Sequence, residues 1–377
     1  KSNSQNCQIW SEKRKIQGIA YIIFTSGSTG DQKGVVISKK AYLSYIDWTK
    51  RYFEKFNSNK KLLITAELTF DITLGDIAFS LAHDLEIHVS PSSQNIIMHA
   101  NLINMRQIDT FYSVPSTIGR LFDWIDKRNS DVLKNLVLIK SGGDTFNLEL
   151  IDLVKKKSPK SAFYNVYGPT EFTINCCAIR VDEIRDYIMQ NGSVPIGVPF
   201  DHLKAKLLNE NDKGVRLFND EIGELVIAGE QIMDGYFNDE QKTEQVIFDY
   251  DGVKYYKTGD LVKKNNNMLS IIGRIDNLIK IKGYRINPTE IENVISKMNS
   301  IKEVKIIAVD KSSDAKLITF VASEKNDKKE IFDFCQSQLP AYMIPHDIIF
   351  LRNLPTGISG KFDSNELEKI WKEYKYE

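Results

Sequence analysis

The sequence predicts an α/β protein, with a large N-terminal domain built on parallel-rich sheets and a small C-terminal α+β domain. Over residues 61–167, short apolar segments alternate with amphipathic helical stretches, a pattern typical of βαβ units. After residue 180 the apolar segments become shorter and are broken by Gly, Asn and Asp, which predicts a β-rich subdomain. We therefore place the large domain at 1–275 and the small domain at 276–377.

Local patterns predict the individual elements. Runs of β-branched and aromatic residues indicate strands, apolar spacing of three to four residues indicates helices, and Ser38 is a predicted N-cap. Residues 70–76 are predicted as a loop that precedes an amphipathic helix. The predicted strands are 21–24, 35–38, 62–64, 86–89, 110–113, 137–139, 162–166, 304–309 and 317–322, with shorter β segments at 195–197, 223–227 and 255–257; the other predicted helices are 41–53, 95–107, 117–128, 147–157, 288–298, 329–338 and 364–374.

The composition argues against several classes of function. The 377 residues can bury a substantial core, and the 50 basic and 50 acidic side chains cancel, so no attraction to nucleic acid or to an anionic membrane is expected. No apolar run reaches membrane-spanning length, and no secretory signal opens the chain. The four cysteines lack Cys-x-x-Cys spacing, which favours free thiols in the cytoplasm, and the histidines lack the spacing of a zinc site.

A loop rich in glycine and hydroxyl groups follows the first predicted strand and ends in a lysine. Glycines let backbone N–H groups approach an anion, hydroxyls donate hydrogen bonds and the lysine adds positive charge, so the loop is suited to phosphate. It is not the Walker P-loop, because Gln32 stands where that motif has the glycine of its Gly-Lys pair. Taken alone, the composition of this loop is also compatible with a glycine-rich hairpin that binds no ligand. The candidate phosphate-binding residues are Thr25, Ser26, Gly27, Ser28, Thr29, Gly30 and Lys33.

The whole stretch 21–34 resembles the phosphate loop of the adenylate-forming superfamily, which includes peptide-synthetase adenylation domains, acyl-CoA synthetases and luciferases. Segments at 167–171, 256–260, 273–286 and 354–361 resemble the family's other motifs and follow in its order. The resemblance implies that the loop binds the pyrophosphate of ATP. Family members have a large segment before this loop, whereas this chain reaches it at residue 21, so we expect a cut chain or a short relative.

The resemblance assigns nucleotide-binding roles to single residues of these motifs. Tyr167 would stack near the adenine, and Thr170 and Glu171 would contact the adenylate phosphate and Mg2+. A carboxylate beside a phosphate loop suits this hard cation, although a Gly-Pro turn is common in any protein. Asp260 would accept hydrogen bonds from the ribose hydroxyls, since a carboxylate can accept two at once. Arg274 would also contact the nucleotide.

Two further positions belong to the catalytic cycle that the resemblance implies. Asp276 would be the hinge about which the mobile small domain swings between two half-reactions. Lys361 lies in a Gly/Ser loop, where a lysine is otherwise an ordinary surface charge. It would enter the active site during adenylation and stabilise charge between the carboxylate and the α-phosphate. Together with Thr170 and Glu171 it completes the predicted catalytic set.

The segment 70–71 resembles the place where amino-acid-activating members hold the substrate's α-ammonium with an aspartate. A buried carboxylate requires a cationic partner, so Asp71 would select a zwitterion over a fatty acid; the alternative is an N-cap or turn residue. Gly75 would leave room, and nearby hydrogen-bonding groups lead us to expect a small-to-medium amino acid. The predicted substrate pocket consists of Phe70, Asp71, Ile72, Gly75, Tyr112, Ile139, Ser141, Val166, Ile174 and Asn175.

The predicted function is ATP-dependent adenylation of an amino acid, followed by thioester transfer to the phosphopantetheine thiol of a carrier protein. ATP and Mg2+ are the implied cofactors, and the amino acid and an acyl or peptidyl carrier protein are the implied partners. Two alternatives stay open: an acyl- or aryl-CoA ligase of the same superfamily, and a non-catalytic truncated homologue that binds nucleotide or a partner. The presence together of Lys33, Glu171, Asp260, Arg274 and Lys361 argues against the second alternative.

Overall fold

The N-terminal half of the chain is built from strands that alternate with helices. The computed structural model describes residues 18–26, 32–56, 60–144, 146, 148–191, 193–211, 214–218, 222–275, 279–281, 284–309, 315–323, 327–355 and 363–375. The first strands are β1 (Ile19–Ser26), β2 (Gln32–Ser38), β3 (Lys61–Ile64), β4 (Glu86–Val89), β5 (Thr110–Ser113), β6 (Leu138–Ser141), β7 (Ala162–Tyr167), β8 (Cys177–Arg180) and β9 (Val198–Pro199), and the helices are α1 (Lys39–Tyr52), α2 (Asp71–His83), α3 (Ile96–Arg106), α4 (Pro115–Asp126), α5 (Leu148–Lys157) and α6 (Arg185–Asn191).

The central sheet is largely parallel, as the alternating pattern predicts. In the described part of the chain, β4, β3, β5, β6 and β7 lie in this order and pair in parallel, and β8 and β9 extend one edge antiparallel. One face packs against α1 and α2 around Trp48 and Phe79, and the other against α3, α4 and α5 around Phe122 and Phe163. Because β5, β6 and β7 run in one direction, the loops that follow them meet at one edge of the sheet.

The β-rich subdomain follows the central sheet and is antiparallel. Its long strand β15 (Val253–Asn265) pairs with β12 (Ile222–Ala228), β14 (Ile247–Tyr250) and β16 (Met268–Arg274). The register with β16 sets Asp260 opposite Arg274. The short strand β13 instead joins β2, so this part of the chain contacts the strand that follows the phosphate loop. The elements are β10 (Lys204–Asn211), β11 (Gly214–Phe218), β12 (Ile222–Ala228), β13 (Gly235–Tyr236), α7 (Glu240–Val246), β14 (Ile247–Tyr250), β15 (Val253–Asn265) and β16 (Met268–Arg274).

The C-terminal unit has its own α+β core. Ile286, Ile291 and Met343 are fully buried within it, and the parallel pair β20–β21 is extended by an antiparallel strand, β19. No helix in the described ranges is both long and apolar enough to cross a membrane. The elements are the hairpin β17 (Ile279–Ile281) and β18 (Tyr284–Ile286), then α8 (Pro288–Ile295), β19 (Ile301–Val309), β20 (Lys316–Ser323), α9 (Lys328–Gln338), β21 (Asp347–Leu351) and α10 (Ser364–Tyr374).

Local signals at helix starts were informative in one case and misleading in another. Ser38 caps α1 as predicted, and its Oγ accepts a hydrogen bond from the Ala41 N–H at 3.2 Å. The predicted loop at 70–76 is wrong, because α2 begins at Asp71 with Phe70 as its N-cap. The first turns of α2 are buried on most sides and contain β-branched residues and a glycine, so tertiary packing overrides a weak helical pattern. Asp71 is therefore a helical residue and not an N-cap.

Candidate active site

A cleft opens beside the carboxyl ends of the parallel strands. Its walls come from β1, the start of α2, the end of β5 and the loop after β7, together with tyrosines from the C-terminal unit. Motifs that are far apart in the chain therefore meet at one place, which is where ligands bind in sheets of this kind. The predicted site residues that line this cleft are Thr25, Phe70, Asp71, Ile72, Tyr112, Thr170, Ile174 and Asn175.

A buried ion pair from two separate motifs lies next to the cleft, since its two residues follow the lining residues Gln32 and Thr170. Lys33, on β2, lies with its Nζ 3.3 Å from Glu171 Oε1, and Glu171 is fully buried. Tyr236, on β13, accepts from Lys33 Nζ at 2.6 Å and donates to Glu171 Oε1 at 3.0 Å. Thr25 adds a buried hydroxyl that has no hydrogen-bond partner among the described atoms. An ammonium, a carboxylate and an unsatisfied hydroxyl together are suited to an anion with an associated cation.

A second buried carboxylate lies on β15. Arg274 Nη1 donates to Asp260 Oδ1, and the Tyr167 hydroxyl donates to Asp260 Oδ2 at 2.5 Å. Burial raises the pKa of Tyr167 well above its usual value, so this phenol stays a neutral donor. Each carboxylate oxygen can accept more than one hydrogen bond, so Asp260 keeps the capacity to bind a vicinal diol.

Another part of the cleft has polar walls, which include Asp71, Tyr112 and Asn175. Asp71 lies at the start of α2, and its charge adds to burial in raising the pKa of both Tyr21 and Tyr112. One turn later, an ideal Cβ on Gly75 would lie 2.9 Å from Ile174 Cγ2, so the isoleucine occupies the space that the glycine leaves. The pocket beside Asp71 is therefore shallow.

Hydrogen bonds hold the walls of this end. Tyr112 donates to Asn175 Oδ1 at 3.3 Å, and Asn175 Nδ2 donates to the Tyr45 hydroxyl at 3.1 Å. Val166 lies next to them, since its Cγ2 and the Tyr112 hydroxyl would both contact a Cβ added to Gly142. The sequence does not predict a role for Tyr45 in the site. Tyr45 lies on the face of α1 that packs on the sheet, and the apolar spacing of that face indicates only a core residue.

Four predicted pocket residues do not line the cleft: Gly75 and Val166 lie behind its walls, and Ile139 and Ser141 lie on another face of the sheet. Ile139 pairs with Phe111 on β5 and packs into the core on the far face of the sheet, and Ser141 is on that same face. Lys140 pairs with Tyr112 and shares its face instead. The sequence alone does not show which face of β6 meets the pocket, because side chains alternate along a strand and their facing depends on the neighbouring strands.

Lys140 and Asp76 form a buried titratable pair behind Tyr112. Its Nζ lies 3.9 Å from Asp76 Oδ1 and 4.1 Å from the centroid of the Phe79 ring. Both oxygens of Asp76 lack a hydrogen bond within the described residues. Burial raises the pKa of Asp76 to about 8 and lowers the pKa of Lys140 to about 8. The pair connects α2, which carries Asp71, to the central sheet.

The C-terminal unit covers the mouth of the shallow pocket. Tyr284, on β18, packs edge-on against Phe70 with ring centroids 4.3 Å apart, and it stacks on Tyr342 at 3.9 Å. Sequence reasoning assigned no role to these tyrosines, although Tyr284 lies inside the segment 273–286 that carried the resemblance. Gly27, Ser28, Thr29, Gly30, Asp276 and Lys361 lie outside the described residues, and Ser26 is described only as the last residue of β1.

A cleft beside nucleotide-suited charge pairs at the edge of a parallel sheet, followed by a separate α+β unit, fits an adenylate-forming ligase. The chain belongs to the AMP-binding enzyme family: the family profile matches residues 2–237, and the profile of the AMP-binding enzyme C-terminal domain matches residues 290–361.

Individual relatives show which members of the family this chain is similar to. The D-alanine–D-alanyl carrier protein ligase of Bacillus licheniformis is 29% identical over 361 residues, which cover 93% of this chain and 70% of the relative. The ligase of that name from Listeria monocytogenes is 30% identical, covering 92% and 69%. Among solved structures, the Vibrio cholerae adenylation domain AlmE in complex with glycyl-adenosine-5'-phosphate has a TM-score of 0.81 and 27% identity, covering 97% of this chain and 69% of that one.

The Asp76–Lys140 pair predicts a pH dependence of stability. The folded protein keeps the Asp76 proton up to about pH 8, whereas the unfolded chain loses it near pH 4. Because only the folded state binds this proton between about pH 4 and pH 8, the free energy of unfolding decreases as the pH rises through that range. We expect the free energy of unfolding of the wild type to fall by about 1 kcal/mol per pH unit relative to Asp76→Asn. Chemical denaturation of both proteins at pH 5, 6.5 and 8 measures the difference. Parallel stability curves for the two proteins would contradict the pKa shift.

Asp260 predicts a nucleotide-binding phenotype. In Asp260→Asn an amide replaces the carboxylate that accepts from Arg274 and Tyr167, and we expect AMP to bind about tenfold more weakly or worse. Titration calorimetry with AMP measures the loss, and circular dichroism checks folding. The control is Asp251→Asn, at an exposed turn where positive φ suits asparagine. Equal AMP affinity in a folded Asp260→Asn protein would exclude Asp260 from the site.

Proposed function

We propose that this protein activates a small amino acid with ATP and transfers it, as a thioester, to the phosphopantetheine thiol of a carrier protein. The observation that carries the proposal is that one charged group lines the cleft and two charge pairs lie next to residues that line it. The Asp71 carboxylate lines the cleft, the Lys33–Glu171 pair lies next to Gln32 and Thr170, and the Asp260–Arg274 pair is bonded to Tyr167, which precedes Gly168. The two pairs are suited to the phosphates and ribose of a nucleotide, and the Asp71 carboxylate is suited to an α-ammonium group.

In the first half-reaction, a carboxylate oxygen of the amino acid attacks the α-phosphorus of ATP. A new P–O bond forms, the bond to the β-phosphate breaks, and pyrophosphate leaves. Lys33 and Thr25 would hold the departing phosphates, Thr170 would contact the α-phosphate, and Asp260 would fix the ribose. Asp71 would orient the amino acid, because its carboxylate pairs with the α-ammonium group.

Glu171 fits a role in holding Mg2+. Within the described ranges, no group of three or more His, Cys, Asp or Glu side chains could enclose a metal. Mg2+ does not need such a cage, since it binds through one or two carboxylates together with substrate phosphates and water. When bound, Mg2+ would neutralise charge on the phosphates during displacement. Tyr236 and Lys33 both contact Oε1 of Glu171 and would hold the carboxylate in place for this contact.

In the second half-reaction, the thiolate of the carrier's phosphopantetheine attacks the carbonyl carbon of the adenylate. A C–S bond forms and AMP leaves. We assign residues 276–377 as a mobile domain that turns about Asp276, withdrawing Lys361 after adenylation. The two carrier protein ligases named above support a carrier as the acceptor. The cytoplasm, with its ATP and reduced thiols, is the proposed location.

The substrate class follows from the shallow pocket beside Asp71. Ile174 fills the space next to Gly75, and Tyr112 and Asn175 close the far side. We infer from this geometry that the pocket takes glycine or alanine. The relatives named above, two D-alanine ligases and one structure with a glycyl adenylate, support a small substrate for this chain too.

Pyrophosphate exchange tests the proposal directly. We expect glycine or one isomer of alanine to drive exchange of labelled pyrophosphate into ATP, with bulky amino acids at least about tenfold less effective because Ile174 excludes them. The assay screens the common L- and D-amino acids. No exchange with any amino acid would reject amino-acid activation.

The matched variants for this assay are Asp71→Ala and Asp131→Ala, an exposed aspartate outside the cleft. Asp71→Ala should raise the KM for the amino acid at least about tenfold, because the α-ammonium group loses its partner. Acyl and aryl acids are added to the same panel. If they drive exchange instead, and Asp71→Ala changes nothing, the protein is an acyl- or aryl-CoA ligase.

Lys361 should separate the two half-reactions. Lys361→Ala removes a mobile ammonium that would stabilise charge during attack on the α-phosphate, so exchange should fall by about a hundredfold or more. Thioester transfer from a supplied aminoacyl adenylate should fall far less. The control is Lys372→Ala, an exposed lysine on α10. Equal losses in both half-reactions would contradict the assigned role.

A further inference from the structure

The loop after β7 contains a strained turn at the deep end of the cleft. Thr173 and Ile174 both have positive φ, 53° and 73°, and the Asn175 N–H donates to the Thr173 carbonyl at 2.9 Å. This is a γ-turn with positive φ, which is rare and strained, and β-branched residues adopt such a backbone least readily. Both side chains are buried, so the surrounding structure must hold the turn.

Gln231, in the segment between β12 and β13, makes contacts that hold this turn. Its side chain is fully buried, and its Nε2 donates to the Asn175 carbonyl at 2.8 Å. The carbonyls of Phe172 and Thr173 lie 3.5 and 3.4 Å from the same nitrogen. The backbone carbonyl of Gln231 also accepts from Thr173 Oγ1 at 2.6 Å. One residue therefore binds the loop on both sides of Ile174.

Neighbouring groups determine the orientation of this amide. Carbonyl oxygens only accept, so the NH2 group of Gln231 must face them, and its Oε1 then accepts from His202 Nε2 at 2.9 Å. The imidazole Nδ1 faces Asp201 Oδ1 at 3.4 Å. Gln231 is hydrogen-bonded at both ends, so a residue that only accepts or only fills space cannot replace it without loss.

The strained turn determines the floor of the pocket. It directs Ile174 toward Gly75, where its Cγ2 occupies the position next to the glycine. It also places Asn175 between Tyr45 and Tyr112, which hold its side chain. If the turn relaxed to negative φ, Ile174 would leave this position and a chamber would open above Gly75.

We propose that Gln231 is a positioning residue for substrate selection. By holding the strained turn, it keeps Ile174 over Gly75 and restricts the pocket to amino acids with the smallest side chains. The inference rests on the proposed function, because it names how that same site chooses its amino acid. Gln231 acts through Ile174 and Asn175, which line the cleft.

The test compares Gln231→Met and Gln231→Glu with the wild type. Methionine fills a similar volume but cannot donate, and glutamate presents acceptors to the loop carbonyls. Gln241→Glu, at an exposed position on α7, is the matched control. The probes are glycyl-, alanyl- and leucyl-sulfamoyl adenosine, with AMP as a probe that does not reach the amino-acid pocket. Titration calorimetry gives the affinity of each protein for each probe.

We expect the wild type and Gln241→Glu to bind the glycyl or alanyl probe at least about tenfold more tightly than the leucyl probe. Gln231→Met and Gln231→Glu should lose most of this preference, with AMP affinity within about twofold of the wild type. A merely structural role would weaken AMP and all three probes together. If the Gln231 variants bind AMP and still prefer the small probes over the leucyl probe as the wild type does, the inference is overturned. A wild type that binds the small and leucyl probes equally well would also overturn it.

A second variant keeps the test decisive if Gln231→Met folds poorly. Glycine adopts positive φ without strain, so Thr173→Gly combined with Gln231→Met should restore both AMP binding and the preference for small probes. Failure of this double variant to regain the preference while it binds AMP would count against Gln231. A wild type that prefers small probes but supports no pyrophosphate exchange would reject the proposed function and leave the Gln231 result valid.

Discussion

The burial of ionised side chains is the constraint on which the active cleft depends. A carboxylate removed from water needs a cation or several donors, or folding becomes unfavourable. Glu171 meets this requirement with Lys33, and Asp260 meets it with Arg274. The Lys33–Glu171 pair connects residues that are far apart in sequence, so satisfying it brings two motifs together. The arrangement of charges that suits a nucleotide is thus also part of what holds the large domain in shape.

A buried ion pair is a weak source of net stability, which indicates a role beyond stability. Behind the cleft, Asp76 lacks hydrogen bonds in the described part of the chain and sits 3.9 Å from the Lys140 ammonium. Its pKa is raised because nearby groups compensate burial only in part. The positive φ of Ile174, which contacts Gly75 next to Asp76, is a second energetically unfavourable feature at this site. Such costs concentrate at functional sites, where the surrounding structure holds a geometry that the local sequence disfavours.

Strong periodic segments were predicted well, and short or buried ones less well. The strands at 86–89 and 110–113 have the predicted bounds, because β-branched and aromatic runs between turn signals have few other interpretations. The start of α2 was missed, since burial on most sides removes the amphipathic pattern at Asp71. Ile139 and Ser141 were assigned to the pocket although they lie on the far face of β6. A strand's register cannot be read from its own residues, because it depends on the neighbouring strand.

By itself, the sequence determined the α/β class, the order of the motifs and the chemical types of residue available for a nucleotide site. These properties are local, since they depend on composition, periodicity and spacing along the chain. Only the tertiary structure decided how side chains are placed in and behind the cleft: Lys140 behind Tyr112, Ile174 over Gly75, and Gln231 against the loop carbonyls. These contacts join residues far apart in sequence. Their geometry follows from strand pairing and packing, which no single segment specifies.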